Sequence, residues 1–390
     1  MKAATMAVGS MIGVMFMGST IVTPLYALYA RQFDFSAVVL TLIYAAYVIG
    51  NLASLFFFGG VSDRAGRRRT VLHALILAAV STSIFFFATS TPWLFVARAL
   101  SGFSIGLAAG AGTAWIAELD SAADKTRAAL VAVVGNFAGI ALGPLISGLL
   151  AEYTPWPLHL PFLIYIGIVA VTAVFIARSP ETVSGSAPQS TQHRTSIGIP
   201  RSIRARFVTP AVTAFVMFAL YGFYFSLAPS VLTDSLHESN RAVGGAVVFE
   251  LGLVSAATIL LTHRLASRTC MLLALVLLLP SLVLLIFAQA QGSLPLLLLG
   301  TTLSGISGAL GYRGSLQVVN QIAPAEQRAG VASAYFLVCF IGNSLPVIAV
   351  ALLARAFNSL VADGVFAVTL AVLAIAALAM SQLQSRHPQG

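Results

Sequence analysis

The sequence predicts an all-α membrane protein of twelve transmembrane helices in two pseudo-symmetric six-helix bundles. Three observations predict this. Of 390 residues, 58% are hydrophobic and only 8% are charged, and the mean hydropathy is +0.94, whereas a soluble chain is near ~45–50% apolar and ~25% charged. Twelve apolar stretches near the ~20-residue length needed to cross a bilayer follow one another, at 7–30, 37–58, 70–90, 93–116, 128–151, 159–177, 207–230, 243–262, 270–289, 294–316, 329–353 and 360–381. The two sets of six also echo each other at a spacing near 200 residues, the internal repetition expected of many transporters.

In chain order, Lys2 leads straight into span one without a small-residue cleavage site, so the first span is expected to be retained. The one long polar interval, 178–206, carries Pro180, Glu181, Ser184, Gly185, Pro188, Arg194, Arg201, Arg204 and Arg206. It divides the chain into an N-terminal bundle (1–178), a linker (179–206) and a C-terminal bundle (207–390). The echoes keep their order: Leu100-Ser101-Gly102-Phe103-Ser104 with Leu303-Ser304-Gly305-Ile306-Ser307, Arg127 with Arg328, Arg64 and Arg68 with Arg264 and Arg268, and Pro24 with Pro229. Duplication explains such a series better than chance, and it implies a central cavity between halves.

Charge orients the chain. With the N-terminus inside, the outer connections hold only Arg31, Arg241 and Arg355; with Arg98 and Arg313 set aside as embedded or near the membrane edge, sixteen of the 21 Lys and Arg face the cytoplasm. Sixteen against three places both termini in the cytoplasm. The net charge of +9 marks loops rather than one soluble face, so nucleic acid is not the partner. Cys270 and Cys339 fall in or at the edge of apolar spans and read as small core residues. The six histidines form no H-E-x-x-H site, and neither a G-x-S-x-G elbow nor a Walker loop occurs, so an enzyme is not expected, nor a metal or cofactor.

Charge concentrates in Gly59-Gly60-Val61-Ser62-Asp63-Arg64-Ala65-Gly66-Arg67-Arg68-Arg69, between spans two and three. The glycines suit close approach of span two to a neighbour. The arginines by themselves are equally well a cytoplasmic anchor. Asp63 adds to that, because a carboxylate at the end of a membrane helix needs a partner. The N-terminal end of span eleven, near Gly330, offers a positive dipole end on the same side, and Glu118 and Asp120 at the end of span four compete for the arginines. Thr262-His263-Arg264-Leu265 in the second half has no acid in place of Asp63, so such a latch is asymmetric.

Span four holds Arg98 about six residues inside its outer start, followed by Gly102, Gly106 and Gly110. Snorkelling to the headgroups and a charge directed into a hydrated route both account for it; Thr301 stands at the repeat position. Span five carries Gly139-x-x-x-Gly143-Pro144-x-x-Ser147-Gly148, a small-residue packing face with a proline kink. Glu250 lies seven or eight residues into span eight beside Phe249 and Leu251. An anion at that depth is costly, which suits a protonatable coupling site, unless the span begins later and Glu250 is interfacial. Tyr44, Tyr47, Asn51, Asn136, Tyr221, Tyr224, Phe225 and Asn343 are the candidate cavity residues. They describe an apolar, aromatic cavity suited to a lipophilic or weakly polar cargo, though most such residues simply pack helices or form aromatic belts.

The G-x-x-x-D-R-x-G-R-R pattern resembles the signature between helices two and three of the major facilitator superfamily of secondary transporters, and Leu94-x-x-x-Arg98-x-x-Ser101-Gly102 is similar to its second signature. The span-five pattern resembles the antiporter motif of the twelve-helix drug:proton antiporters, with Leu130 in place of an earlier glycine and Ser147 in place of another. Ser179-Pro180-Glu181-Thr182 is similar to the P-E-[ST] that closes the first half in exporters. The resemblance implies an inter-half latch of Gly59, Asp63, Arg64, Gly66, Arg67 and Arg68, proton transfer through Arg98, and a sealing or pivoting role for Gly139, Gly143, Pro144 and Gly148. It further implies proton-driven export of small molecules by a monomer in a bacterial-type inner membrane, with the proton gradient as energy source. An ion-coupled uptake porter, a sugar or siderophore exporter, and a non-transport receptor or scramblase are the competing readings.

Overall fold

The computed structural model describes residues 2–119, 125–183, 198–324 and 327–386. Twelve helices among them are long and apolar enough to cross a membrane: Ala3–Phe33, Ala37–Phe58, Arg67–Phe86, Thr91–Leu119, Val131–Tyr153, Leu160–Ala177, Arg201–Ser226, Arg241–Leu261, Ser267–Gln291, Leu294–Ile322, Gly330–Ala356 and Ser359–Gln382, here spans one to twelve. Hydropathy locates the apolar middle of each span, while backbone hydrogen bonding carries the helix on into polar sequence. Span three therefore begins at Arg67, and span four runs through Glu118.

Two prolines break their spans at corresponding places. Pro24 opens a 3-10 turn, Thr23–Leu25, after which the chain resumes as the helix Tyr26–Phe33. Pro229 stands near the start of the separate short helix Ala228–Asp234 that follows span seven. A proline ring has no N–H to give and crowds the preceding turn, so both spans end their regular run at this point. Between spans two and three, Val61–Ala65 forms a short helix that stops at Gly66, whose φ is +97°.

Contacts divide the chain into two compact units, Met1–Thr191 with Asn240–Ala256, and Gln192–Ser239 with Ala257–Gly390. Most of span eight thus groups with the first unit, whereas chain order and the repeat put it in the bundle 207–390. In unit 1, spans one, three, four and six bury a core including Val8, Met11, Met15, Val71, Leu94, Trp115 and Phe162. In unit 2, Phe207, Ala214, Val319, Val331, Tyr335 and Cys339 form a buried cluster. Both cysteines are free and buried. Large apolar side chains such as Phe57, Phe87, Leu261 and Val368 point outward, as a lipid-facing surface requires, because burial between helices brings no hydrophobic gain over lipid.

Candidate functional site

The span two–three connection is held by an acid of span four and one from the segment that follows span six. Arg67 is 8% exposed, and its guanidinium reaches Asp63 Oδ1 at 2.6 Å and Glu118 Oε1 at 2.8 Å. Its Nε also donates to Glu118 Oε1 at 3.1 Å, and Nη1 to Ser62 Oγ at 2.6 Å. Beyond the end of span six, Glu181 accepts from the backbone N–H groups of Arg67 at 2.9 Å and Arg68 at 3.1 Å. Its charge therefore sits on the positive N-terminal end of span three, where two donors lack helical partners.

Three further bonds fix that strap. Trp115 Nε1 donates to the Pro180 carbonyl at 3.2 Å, Arg68 Nη1 to the Ser179 carbonyl at 3.3 Å, and Thr182 Oγ1 to Glu118 Oε2. Gly66 suits its place because its φ of +97° disfavours a side chain, and a Cβ there would lie 2.6 Å from Glu181 Oε2 and push that carboxylate off its N–H partners. Arg64 is exposed, and Asp120 lies outside the described residues. The close approach expected at Gly59 is found elsewhere. A Cβ at Gly59 would meet its own helix at the Leu55 carbonyl, 2.7 Å away, and Gly60 faces open space among the described residues. Spans two and four instead cross backbone on backbone at Gly50 and Gly102, where added Cβ atoms would collide with the Ala99 and Tyr47 carbonyls. Gly106 abuts Ser54 in the same crossing, while Gly110 has nothing within 4 Å.

Arg98 does not snorkel; it is 1% exposed. Its Nε donates to Tyr26 Oη at 2.6 Å and Nη1 to the Ser19 carbonyl at 2.6 Å. The guanidinium carbon stands 5.4, 5.7 and 5.5 Å from the ring centroids of Tyr26, Tyr44 and Tyr47, within the range of cation–π attraction. Asn51 Nδ2 donates to Tyr47 Oη at 3.3 Å. Among the described residues, no carboxylate comes within ion-pair distance of Arg98. Tyr44, Tyr47 and Asn51, read from sequence as cavity residues, and Arg98, read as a coupling residue, form one assembly. Tyr26 and Ser19 complete it; in sequence they look like ordinary span-one residues, 72 and 79 positions away.

Span five packs through small residues on two faces. Toward span one, a Cβ at Gly139 would collide with the Gly13 carbonyl, and one at Gly143 would lie 2.6 Å from the Met17 carbonyl. Toward span eight, Gly148 lies against the Arg241 carbonyl, with 2.7 Å left for a Cβ, and Gly245 against the Pro144 carbonyl. Pro144 cannot bond the carbonyl one turn back, that of Ile140. Thr20 of span one offers a donor, its Oγ1 lying 3.2 Å from Ile140 O, a little nearer than to the Met17 and Phe16 carbonyls of its own helix at 3.3 and 3.4 Å. Ser147, at 0% exposure, takes the place of the family glycine without loosening this packing. Arg241 closes this end of the span five–span eight contact, its N–H donating to Glu152 Oε2 at 3.0 Å with an ion pair at 3.4 Å.

Glu250 follows nine residues after Arg241, where the span-eight helix begins, about 13 Å along an axis rising ~1.5 Å per residue. Its side chain is half-buried. Asn136 lies on span five, its Oδ1 buried without a hydrogen-bond partner. In unit 2, Tyr221 stacks on Phe225 with centroids 5.9 Å apart, Asn343 is buried, and Tyr224 Oη receives the Thr301 hydroxyl at 3.2 Å and lies 3.3 Å from Ser304 Oγ. Sequence reasoning did not select Glu181, Tyr26, Ser19 or Thr20 as site residues; the P-E-[ST] match was the only prior signal for any of them.

Comparison with known proteins places this geometry in context. Residues 8–345 match the family model described as Major Facilitator Superfamily. The chain is 25% identical over 214 residues to Multidrug resistance protein 2 of Bacillus subtilis (strain 168), covering 53% of each chain. It is 26% identical over 247 residues to Quinolone resistance protein NorA of Staphylococcus aureus (strain MRSA252), covering 61% of this chain and 62% of the relative. These alignments therefore span little more than half the length of the relatives. The crystal structure of a D-xylose-proton symporter superposes with a TM-score of 0.77 at 15% identity, over 96% of both chains; at that identity the likeness concerns the fold.

Proposed function

Since this chain belongs to the Major Facilitator Superfamily and is therefore a membrane transporter, we propose that it exports small lipophilic or weakly polar molecules in exchange for protons, by alternating access. The two six-helix halves, 1–178 and 207–390, would expose a central site to each side in turn. The reading includes a monomer in a bacterial-type inner membrane with both termini in the cytoplasm. Its similarity to a multidrug and a quinolone resistance protein supports export, as does the span-five motif.

The observation that carries the reading is the setting of Arg98. A guanidinium 1% exposed, held by a phenol and a carbonyl and faced by three aromatic rings, is a positive charge that neutral groups orient but do not neutralise. Intramembrane charge of this kind is costly and marks transport pathways. We assign the coupling proton to Glu250 in the same unit, positioning and proton transfer to Arg98, and the inter-half latch to Asp63. The aromatic surroundings of Arg98 favour an apolar cargo over a phosphate or dicarboxylate, which a clamp of several arginines would bind.

Purified protein in sealed vesicles with an imposed pH gradient tests this, using a fluorescent lipophilic cation as cargo and a trapped pH indicator. Export by exchange moves dye and protons in opposite directions. An uptake porter moves them in the same direction, and a receptor or scramblase gives no cargo-dependent proton movement. In Glu250→Gln, dye binding and gradient-independent exchange should persist while gradient-driven transport is lost. Intact pH-dependent transport in that variant would remove Glu250 as the proton carrier.

A further inference from the structure

Unit 2 buries a carboxylate of its own. Asp363 lies in the second turn of the helix Ser359–Arg386, whose start is capped by Asn358, with Val361 N–H donating to its Oδ1 at 2.8 Å. Asp363 is 3% exposed. Its Oδ2 is buried with no hydrogen-bond partner, and among the described residues no Arg, Lys or His comes within ion-pair distance. Beside it stands Gln289, in the last turns of span nine. Gln289 is 5% exposed, and its Nε2 is likewise buried without a partner. Its Oε1 faces the Ser235 hydroxyl at 3.4 Å, where the short helix Ala228–Asp234 ends.

Span twelve packs on spans seven, nine and eleven. Span seven presents Phe223, stacked on Phe366 with centroids 5.1 Å apart. Span nine presents Gln289. Arg355, near the end of span eleven, is exposed and makes no ion pair with Asp363. Gln289 is thus the side chain that acts on the carboxyl from these three neighbours among the described residues.

An amide is an unusual choice for that role, and it has one chemical advantage. An ionised carboxylate accepts hydrogen bonds only, and the amide NH2 can supply one; a protonated carboxyl also donates, and the amide carbonyl can receive it. A half-turn of the Gln289 amide therefore serves either protonation state. Arg or Lys in its place would hold the anion, and an apolar side chain would satisfy neither form. We propose that Asp363 and Gln289 form a proton-exchange site at this end of unit 2. Hydronium delivers a proton to Oδ2, forming the O–H bond and releasing water, while the Gln289 amide turns from donor to acceptor; the proton leaves to water by the reverse path. The site is distinct from Arg98 and Glu250, and it rests on the packing of unit 2 rather than on the direction or cargo of transport.

Infrared difference spectroscopy on the purified full-length protein, without cargo, tests the proposal across acid to alkaline pH. The expected result is a protonated-carboxyl C=O stretch that fades as pH rises and is lost in Asp363→Asn. In Gln289→Lys it should be lost at every pH, because the ammonium holds the carboxylate ionised. If Asp363→Asn does not yield folded protein, Asp363→Glu makes the assignment by moving the band instead of removing it. A band assigned to Asp363 that persists unchanged at all pH would mean a permanently protonated staple and would overturn the proposal. So would the absence of any such band, or a titrating band that none of these variants alters.

Discussion

The two units build the same joint with different chemistry. In unit 1 the connection after span two is tied to span four by the ionic contact of Arg67 with Glu118 at 2.8 Å, with Asp63 on the same guanidinium. In unit 2 the connection after span eight is tied to span ten by neutral bonds, Ser267 Oγ donating to Gln317 Oε1 at 3.0 Å and Gln321 Nε2 to Ser267 Oγ at 3.3 Å. Arg313 adds bonds to the carbonyls of His263, 2.6 Å, and Leu265, 3.2 Å, and to the side chains of Thr262, 3.5 Å, and Cys270, 3.3 Å. The next joint repeats the contrast: Tyr26 Oη meets Arg98 in unit 1, and Tyr224 Oη meets Thr301 in unit 2. In these contacts of unit 2 the guanidinium of Arg313 is held by uncharged groups and no carboxylate takes part. The acids are what unit 1 adds to the shared joint, and function is the place to look for their use.

The comparison breaks most visibly at Arg98. Arg98→Lys keeps the charge but loses the planar fork that reaches Tyr26 and Ser19 together. Proton-driven transport in vesicles should fall by about tenfold or more, equivalent to ~1.4 kcal/mol in barrier, with the folded protein still recovered. Thr301→Ser, which keeps the hydroxyl in unit 2, should leave transport within about twofold, equivalent to ~0.4 kcal/mol in barrier. Equal losses in the two variants would erase the distinction between charged and neutral joints.

Asp63→Asn comes next. Asp63 is 61% exposed at its side chain, so its ion pair with Arg67 contributes only about 0–1 kcal/mol to stability. Expression and thermal midpoint should hardly move while turnover falls several-fold. Unchanged turnover would reduce the connection to a topological anchor.

Stability variants sharpen the contrast further. Arg67→Gln removes charge-assisted bonds from a buried donor and should cost about 2–3 kcal/mol. Glu181→Ala uncovers two N–H groups at the start of span three and should cost about 1–2 kcal/mol. Ser267→Ala, the neutral counterpart, should cost about 0.5–1.5 kcal/mol. Chemical denaturation of the three variants in one detergent gives the order, and a Ser267→Ala loss as large as that of Arg67→Gln would refute it.

The spans were legible because lipid imposes a length and an apolarity that survive in sequence, and Pro24 and Pro229 marked real breaks. Helix ends were not, since Arg67 and Glu118 continue helices that hydropathy stops short of. Candidate residues were legible singly wherever charge was out of place, as at Arg98, Asp63 and Glu250. Their partners were not: Tyr26 and Ser19 are unremarkable until span one is laid against span four, and Glu181 is a linker acid until it reaches the start of span three. Asp363 is not legible because an acid three residues inside a span that hydropathy starts at 360 is indistinguishable from an interfacial one. Asn358 caps the helix just ahead of Ser359, and the packing of span twelve buries Asp363.

The bond from Thr20 to the Ile140 carbonyl has a mechanical consequence. Pro144 leaves that carbonyl without its helical donor, and the hydroxyl of Thr20, on the neighbouring span, stands 3.2 Å from it. A change in the curvature of span five at Pro144 would move the acceptor relative to its donor, so that curvature and the grip on span one are coupled. A proline in a lone helix is a loose pivot; here the pivot has a detent, supplied by one hydroxyl.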